Sequence, residues 1–212
     1  MSKKLLTEYF ALCDGGVCQD FLTESEKKRM ASGKAFYMTG KIQEADRQNG
    51  NGRVYSEDIL KREMKNYQKF IDERRALGEL DHPDSSVVAL ERASHLITEI
   101  WWDGKSVMGK LEVLNTPAGK VLKGLAEAGI SVGISSRGMG STYSKNGVTM
   151  VDDDYNLICF DVVSDPSAPG AFMKPMHGEP RRGPSMTVSL GENTVQSKNS
   201  NLHMLMNEIL RK

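Results

Sequence analysis

Two dipeptides, Asp103-Gly104 and Asn146-Gly147, most constrain what this chain can fold into. Each favours the left-handed backbone of a tight hairpin turn, and each stands between runs that read as strands. Residues 96–102 alternate ahead of the first turn and residues 106–114 return after it, while residues 141–144 and 148–151 flank the second. Strict alternation would place His95, Ile97, Glu99 and Trp101 on one face and Leu96, Thr98, Ile100 and Trp102 on the other. Two such hairpins commit much of the chain to antiparallel pairing. Further strands are expected at residues 35–45, with Phe36, Met38 and Ile42, at 130–135, and at 155–163, with Leu157, Cys159 and Phe160.

Two segments read as good helices. Ser56 caps the first, Glu57 and Asp58 sit in its first turn, and Ile59, Leu60, Met64, Tyr67, Phe70, Ile71 and Leu77 recur at helical spacing, which predicts a helix over residues 56–77 that stops at Gly78. The second spans residues 116–128, opened by Asn115 or Thr116 with Pro117 and closed by Gly129. The expected class is α+β: a small, mostly antiparallel β-barrel or strongly curved sheet with helices packed outside it.

A chain of 212 residues can bury one sizeable core. We expect that core over residues 35–173, preceded by a polar arm (1–34) and followed by a proline-rich linker and tail (174–212). The tail ends in a short amphipathic stretch with Leu202, Leu205, Met206 and Ile209, which is too short to be stable alone. Lys plus Arg and Asp plus Glu both number 28, so no basic footprint points to nucleic acid or an anionic membrane. No apolar run approaches the roughly 18 residues of a membrane span, and no basic segment followed by an apolar one opens the chain. Neither nucleic acid nor membrane is expected as a partner. Cys13, Cys18 and Cys159 form no CxxC pair, which suits a reducing compartment.

Chemistry concentrates in three places. Ile134 leads through Ser135, Ser136 and Arg137 into Gly138, so small hydroxyls stand at the end of a buried strand. The segment Gly78-Glu79-Leu80-Asp81-His82-Pro83 leaves the long helix and delivers a histidine held extended by the following proline. Asp161 lies inside an apolar strand, where an ionised carboxylate needs a partner or an outlet to solvent. A serine nucleophile needs a base within reach and an acid that orients the base. Ser135 or Ser136, His82, and Asp161 or Glu99 could supply them, with backbone N–H groups around Arg137 and Gly138 for an oxyanion. The same residues would also suit an ordinary strand end and turn. Asp81, His82, His95 and Glu99 could instead serve a metal, but on one strand His95 and Glu99 would stand about 13 Å apart.

Four ordered motifs decide among these readings: GELDHP at 78–83, Trp101-Trp102 with its hairpin, GISSRGMGS at 133–141, and DVVSDPSAPGA at 161–171. Over about residues 41–171 the chain resembles the prohead core protein proteases of T-even-type tailed phages, serine endopeptidases related to herpesvirus assemblin. The resemblance implies an assemblin-like fold with Ser135 as nucleophile, His82 as base and Asp161 as third member, Glu99 being the alternative. Ser136, Arg137 and Gly138 would support the loop and oxyanion site, Arg137 either assisting the oxyanion or pinning the loop through a carboxylate. No metal or cofactor is implied.

The implied substrates are phage scaffold or core proteins and the major capsid protein, cut after glutamate with an aliphatic residue two positions earlier. The implied setting is the prohead interior within the host cytoplasm, with the protease a homo-oligomer made as a self-processing zymogen. Leu190-Gly191-Glu192 and Met206-Asn207-Glu208 fit the cleavage pattern, which makes Glu208 and then Glu192 the candidate self-cleavage positions. Leu125-Ala126-Glu127 also fits but falls in an expected helix. The N-terminal arm would cover the substrate groove before activation. A non-catalytic scaffolding component of the prohead and a metal-dependent hydrolase are the alternatives.

Overall fold

Seven of the ten strands form a curved sheet that almost closes on itself. A computed structural model describes residues 22–83 and 85–176. In chain order the elements are α1 (Glu24–Ala31), β1 (Phe36–Glu44), β2 (Arg53–Val54), α2 (Glu57–Asp72), β3 (Leu77–Glu79), β4 (Ala93–Asp103), β5 (Ser106–Val113), α3 (Pro117–Glu127), β6 (Val132–Met139), β7 (Thr142–Lys145), β8 (Val148–Val151), β9 (Asn156–Val163) and β10 (Phe172–Pro175). Seven strands pair in the order β3-β4-β5-β1-β10-β6-β9, every neighbour antiparallel. The two end strands meet through a parallel bridge between Leu80 and Val162 and a 2.8 Å hydrogen bond from the Asp81 N–H to the Val162 carbonyl. The expected α+β class is what the molecule adopts: a nearly closed antiparallel barrel with flanking helices. A small second sheet, β2-β8-β7, sits beside it.

The core follows from alternation along these strands. Ile42, Ile97, Leu111, Ile134, Phe160 and Val162 are essentially inaccessible to solvent, and α2 lays Ile59, Leu60, Met64, Tyr67 and Ile71 against the sheet. Tyr67 meets Phe160 edge to face at 5.4 Å. Glu63 on the same helix face is buried, and its carboxylate accepts the Leu157 N–H at 2.8 Å, which satisfies a donor at the start of β9.

Several expectations shift at the edges of elements. The first helix ends at Asp72, not Leu77: Arg74 takes a left-handed conformation (φ 53°) and the Arg75 N–H reaches back to the Phe70 carbonyl. This is a Schellman-type stop made without glycine, so the sequence carries no sign of it, and Leu77 becomes an edge-strand residue paired with Leu96. In β4 a bulge between Ile97 and Glu99 breaks the expected alternation, so Ile97 is fully buried while Glu99 is exposed. The first hairpin turns one position later than read, with Asp103 paired to Ser106 and Gly104 at φ 57°. Asn146 (φ 53°) and Gly147 (φ 78°) make the second turn as expected. The strand before the serines begins at Val132 and runs on to Met139.

Both ends of the expected core move outwards. Residues 22–34 are packed on the barrel: Leu22 is buried with Tyr37 and Met176, Thr23 and Glu26 form a capping box, and the Arg29 guanidinium pairs with Glu112 on β5. At the other end β10 inserts between β1 and β6, so residues 174–175, read as linker, belong to the barrel, and Met176 is buried. The expected self-cleavage positions Glu192 and Glu208, and the arm before residue 22, lie outside the described residues.

Candidate active site

Two barrel strands present the polar side chains on one face. In the β6–β9 register Ser135 pairs with Asp161 and Arg137 with Cys159, so these four side chains share a side, while Ile134, Phe160 and Val162 point into the core. Residues 80–83 and 85–92 flank that polar face, where His82 meets Asp161 and the Ser85 carbonyl accepts from Arg137.

His82 arrives there by a short sequence of local constraints. The Leu80–Val162 bridge fixes the end of β3, and Asp81 then turns the chain through a left-handed conformation (φ 64°), which aspartate tolerates better than most residues. Pro83 keeps His82 extended. The result is a hydrogen bond of 2.7 Å between His82 Nδ1 and Asp161 Oδ2. A carboxylate on Nδ1 makes that nitrogen the donor, so the ring is the Nδ1–H tautomer and Nε2 keeps its lone pair free for the cleft. The His82 side chain is 38% exposed and Asp161 0%.

Asp161 is the partnered carboxylate that its apolar strand demanded. Its Oδ1 accepts the Glu79 N–H at 2.9 Å and an Arg137 terminal nitrogen at 3.2 Å, and Arg137 Nε lies 2.8 Å from Oδ2. Burial would raise the Asp161 carboxyl, but His82, the Glu79 N–H and the Arg137 charge together hold it below its ordinary value. Burial and then the Asp161 charge push the Cys159 thiol up to about 12, so it stays protonated and donates to Asp161 at 3.3 Å.

Arg137 spends its guanidinium on the protein. One terminal nitrogen donates to the Ser85 carbonyl at 2.7 Å and the other to Glu79 Oε1 at 3.0 Å, as well as to Asp161. Of the two roles open to it, the geometry favours pinning. Glu79 is itself fully buried. Its Oε2 takes a forked contact from Arg92 at 2.8 and 2.7 Å, and its Oε1 also accepts the Ala89 N–H at 2.8 Å. Burial would raise this carboxyl too, and these donors hold it low. Sequence reading passed over Glu79 as part of a motif. The available signal was an acid in a three-residue edge strand between apolar neighbours, which needs counter-charges as Asp161 does.

Ser135 forms the other side. It is 5% exposed, and its Oγ lies 3.1 Å from Ser167 Oγ. Ser135 and His82 both line one cleft of about 440 Å³, together with Gly50, Arg53, Gly138, Pro166 and Ser167. Ser136 points across the strand, where Gln43 Nε2 donates to its hydroxyl at 2.9 Å. A Cβ on Gly138 would meet the Tyr155 ring and hydroxyl at 2.5–2.6 Å, so packing alone demands glycine there. β10 covers the edge of β6 only at Val132 and Gly133, and the Ile134 N–H still finds the Ala171 carbonyl. From Ser135 onward that edge is not paired by β10.

The other candidates lie elsewhere. Glu99 pairs with Lys110 at 3.0 Å on the β4–β5 hairpin, with no contact to His82. His95 is fully buried, with Nε2 at 3.0 Å from the Phe160 carbonyl and Nδ1 at 2.8 Å from Ser94 Oγ, and burial lowers it to about 4. It is a neutral core histidine directly behind the site, and Gly78 makes room for it, since a Cβ there would fall 2.4 Å from its Nε2.

With this geometry in place, comparison with known proteins gives one answer. A profile of the prohead core protein serine protease family matches residues 11–180. The chain belongs to that family. The prohead core protein protease of Enterobacteria phage T4 is 32% identical over 160 residues, which cover 73% of this chain and 75% of the relative. The solved structure of the bacteriophage T4 capsid assembly protease superposes with a TM-score of 0.57 at 32% identity, covering 60% of this chain and 80% of that one. As a family member the chain is a protease of phage head assembly. The resemblance carried by the four motifs is thereby established.

Proposed function

We propose that this chain is a serine endopeptidase that cuts scaffold, core and capsid proteins inside the phage prohead, with Ser135, His82 and Asp161 as its catalytic group. The observation that carries the reading is the 2.7 Å His82–Asp161 pair opening on the cleft that Ser135 lines. Ser135 Oγ turns from Ser167 towards His82 Nε2 and attacks the scissile carbonyl, while His82 takes its proton. The carbonyl becomes an oxyanion that backbone N–H groups on the β6 edge between Ser136 and Gly138 can stabilise. The C–N bond then breaks, and His82 returns the proton to the leaving amine. Water, deprotonated by His82, releases the acyl group from Ser135. Asp161 keeps the ring in the required tautomer and stabilises its charged form, as the general template for such triads requires.

The same reading extends to cleavage after glutamate and to a zymogen that trims its own tail, after Glu208 first or Glu192. Its motivation is the pair of Leu-Gly-Glu and Met-Asn-Glu sites in that tail. Incubating full-length chain and its Ser135→Ala variant with the phage core and capsid proteins, then mapping fragment masses, tests all of this. We expect cuts after glutamate and a shortened C-terminus with the parent chain and none with the variant. Cleavage by Ser135→Ala would overturn the assignment.

A further inference from the structure

One cation in the cleft has no counter-charge. Arg137 is neutralised by Glu79 and Asp161, and His82 faces Asp161, whereas Arg53, an exposed residue on the same cleft, forms no ion pair among the described residues. The other charged group on that cleft is Asp165, which also has no ion-pair partner among the described residues. An unpaired guanidinium at the mouth of a substrate cleft is a fork-shaped donor waiting for a carboxylate.

The loop that carries Arg53 is built rigidly and tied to the nucleophile's side. Asn49 Oδ1 accepts the N–H groups of Asn51 at 3.0 Å and Arg53 at 2.9 Å, the Asn49 N–H donates to the Arg53 carbonyl at 2.9 Å, and Gly52 completes the turn at φ 73°. β2 then pairs Arg53 with Thr149. The Gly50 N–H donates to the Ser167 carbonyl at 2.7 Å, and Ser167 Oγ touches Ser135 Oγ. Two successive hydrogen bonds therefore join the Arg53 loop to the serine through Ser167, and among the described residues none joins it to His82. In acyl transfer the residue before the scissile bond becomes esterified to the serine, while the leaving amine departs towards the histidine. A side chain recognised from the Arg53 loop is therefore on the acyl side.

We infer that Arg53 is the specificity-determining residue for an acidic side chain immediately before the scissile bond, an inference that rests on the catalytic assignment above. Asp165 lines the same cleft, and its charge disfavours further acids beside the recognised one.

The test uses full-length chain and two peptides that differ only in Glu or Gln before the scissile bond. The parent chain should prefer the Glu peptide, and Arg53→Gln should reduce the ratio of the two kcat/KM values by about fivefold, the upper end of the scale for an exposed charge pair. Arg53→Lys, which keeps the charge but not the fork, should retain part of the preference, and Asp165→Asn should raise it. A parent chain indifferent to Glu and Gln, an unchanged ratio in Arg53→Gln, or equal behaviour of the Lys and Gln variants would each overturn the inference. Ser135→Ala is run alongside. If it cleaves like the parent, the catalytic assignment fails; if it is inactive and the Arg53 ratio does not move, only the present inference fails.

Discussion

The two sides of the cleft are built differently. The His82 side is held by charge: Asp161 and Glu79 are both fully buried, and Arg137 and Arg92 bind them through several charge-assisted hydrogen bonds. The Ser135 side is held by one neutral hydroxyl contact to Ser167 and by loop backbone. A base must present one tautomer in one direction, and a buried ion network enforces that. A nucleophile must rotate to attack and later carry an acyl group, and a single weak contact permits it. On the proposed catalytic assignment, orientation is invested in the base and freedom in the nucleophile.

The largest expected effect comes from neutralising the centre of the rigid side. Asp161→Asn removes the acceptor that selects the His82 tautomer and should lower kcat by about 10⁴, the scale seen when the orienting acid of such a group is replaced by its amide. Peptide hydrolysis measures it, and a drop below tenfold would place the rigidity elsewhere.

Glu79→Gln breaks the network one residue further out. It leaves Arg137 and Arg92 short of a buried counter-charge and should cost about 3 kcal/mol of stability in urea melts. A loss under about 0.5 kcal/mol would show that the network does not stiffen this side.

Acid should also act on the base side. His95 is lowered to about 4 from an ordinary 6.5, so the unfolded chain takes up a proton that the folded chain refuses. Stability should be full above about pH 6.5 and fall as pH drops towards 4, by on the order of 3 kcal/mol from this residue. Glu79 and Asp161 lie below their ordinary 4.5 and 3.8, so their contribution persists above those values and is lost only as pH falls through their folded ones. Urea melts across pH 7 to 3 should show both phases. A flat profile between pH 6.5 and 4 would contradict the burial of a neutral His95.

The smallest effect belongs to the loose side. Ser167→Ala should change stability by less than about 1 kcal/mol, because it removes one neutral hydroxyl contact. It should change kcat/KM by only a few-fold. A larger loss would mean that Ser167 positions the nucleophile and that the two sides are equally fixed.

Much of this arrangement was legible because local rules and tertiary structure agree. The Asn-Gly turn, the Ser56 and Thr116 caps and the two amphipathic helices behaved as their chemistry requires, and Asp161 had to have a partner in its apolar strand. What stayed hidden was decided by distant contacts. Arg74 closes α2 without a glycine signal, the bulge before Glu99 turns that side chain outwards, and α1 shows no buried residue of its own although Leu22 and Arg29 tie its segment to the barrel. Glu79 and Ser167 were missed for the same reason. A glutamate in a short strand and a serine in a proline-rich loop show their roles only when β3 and the 164–171 loop are brought to β6 and β9.

On the proposed assignment the Ser135 hydroxyl, on the cleft that His82 also lines, is the nucleophile. Reaction of full-length chain with a fluorophosphonate, followed by peptide mass mapping, tests it most directly. A single stoichiometric adduct on Ser135 that is lost in His82→Ala is the expected result. An adduct on Ser136 or Ser167, or none in a preparation that cleaves its substrates, would contradict it.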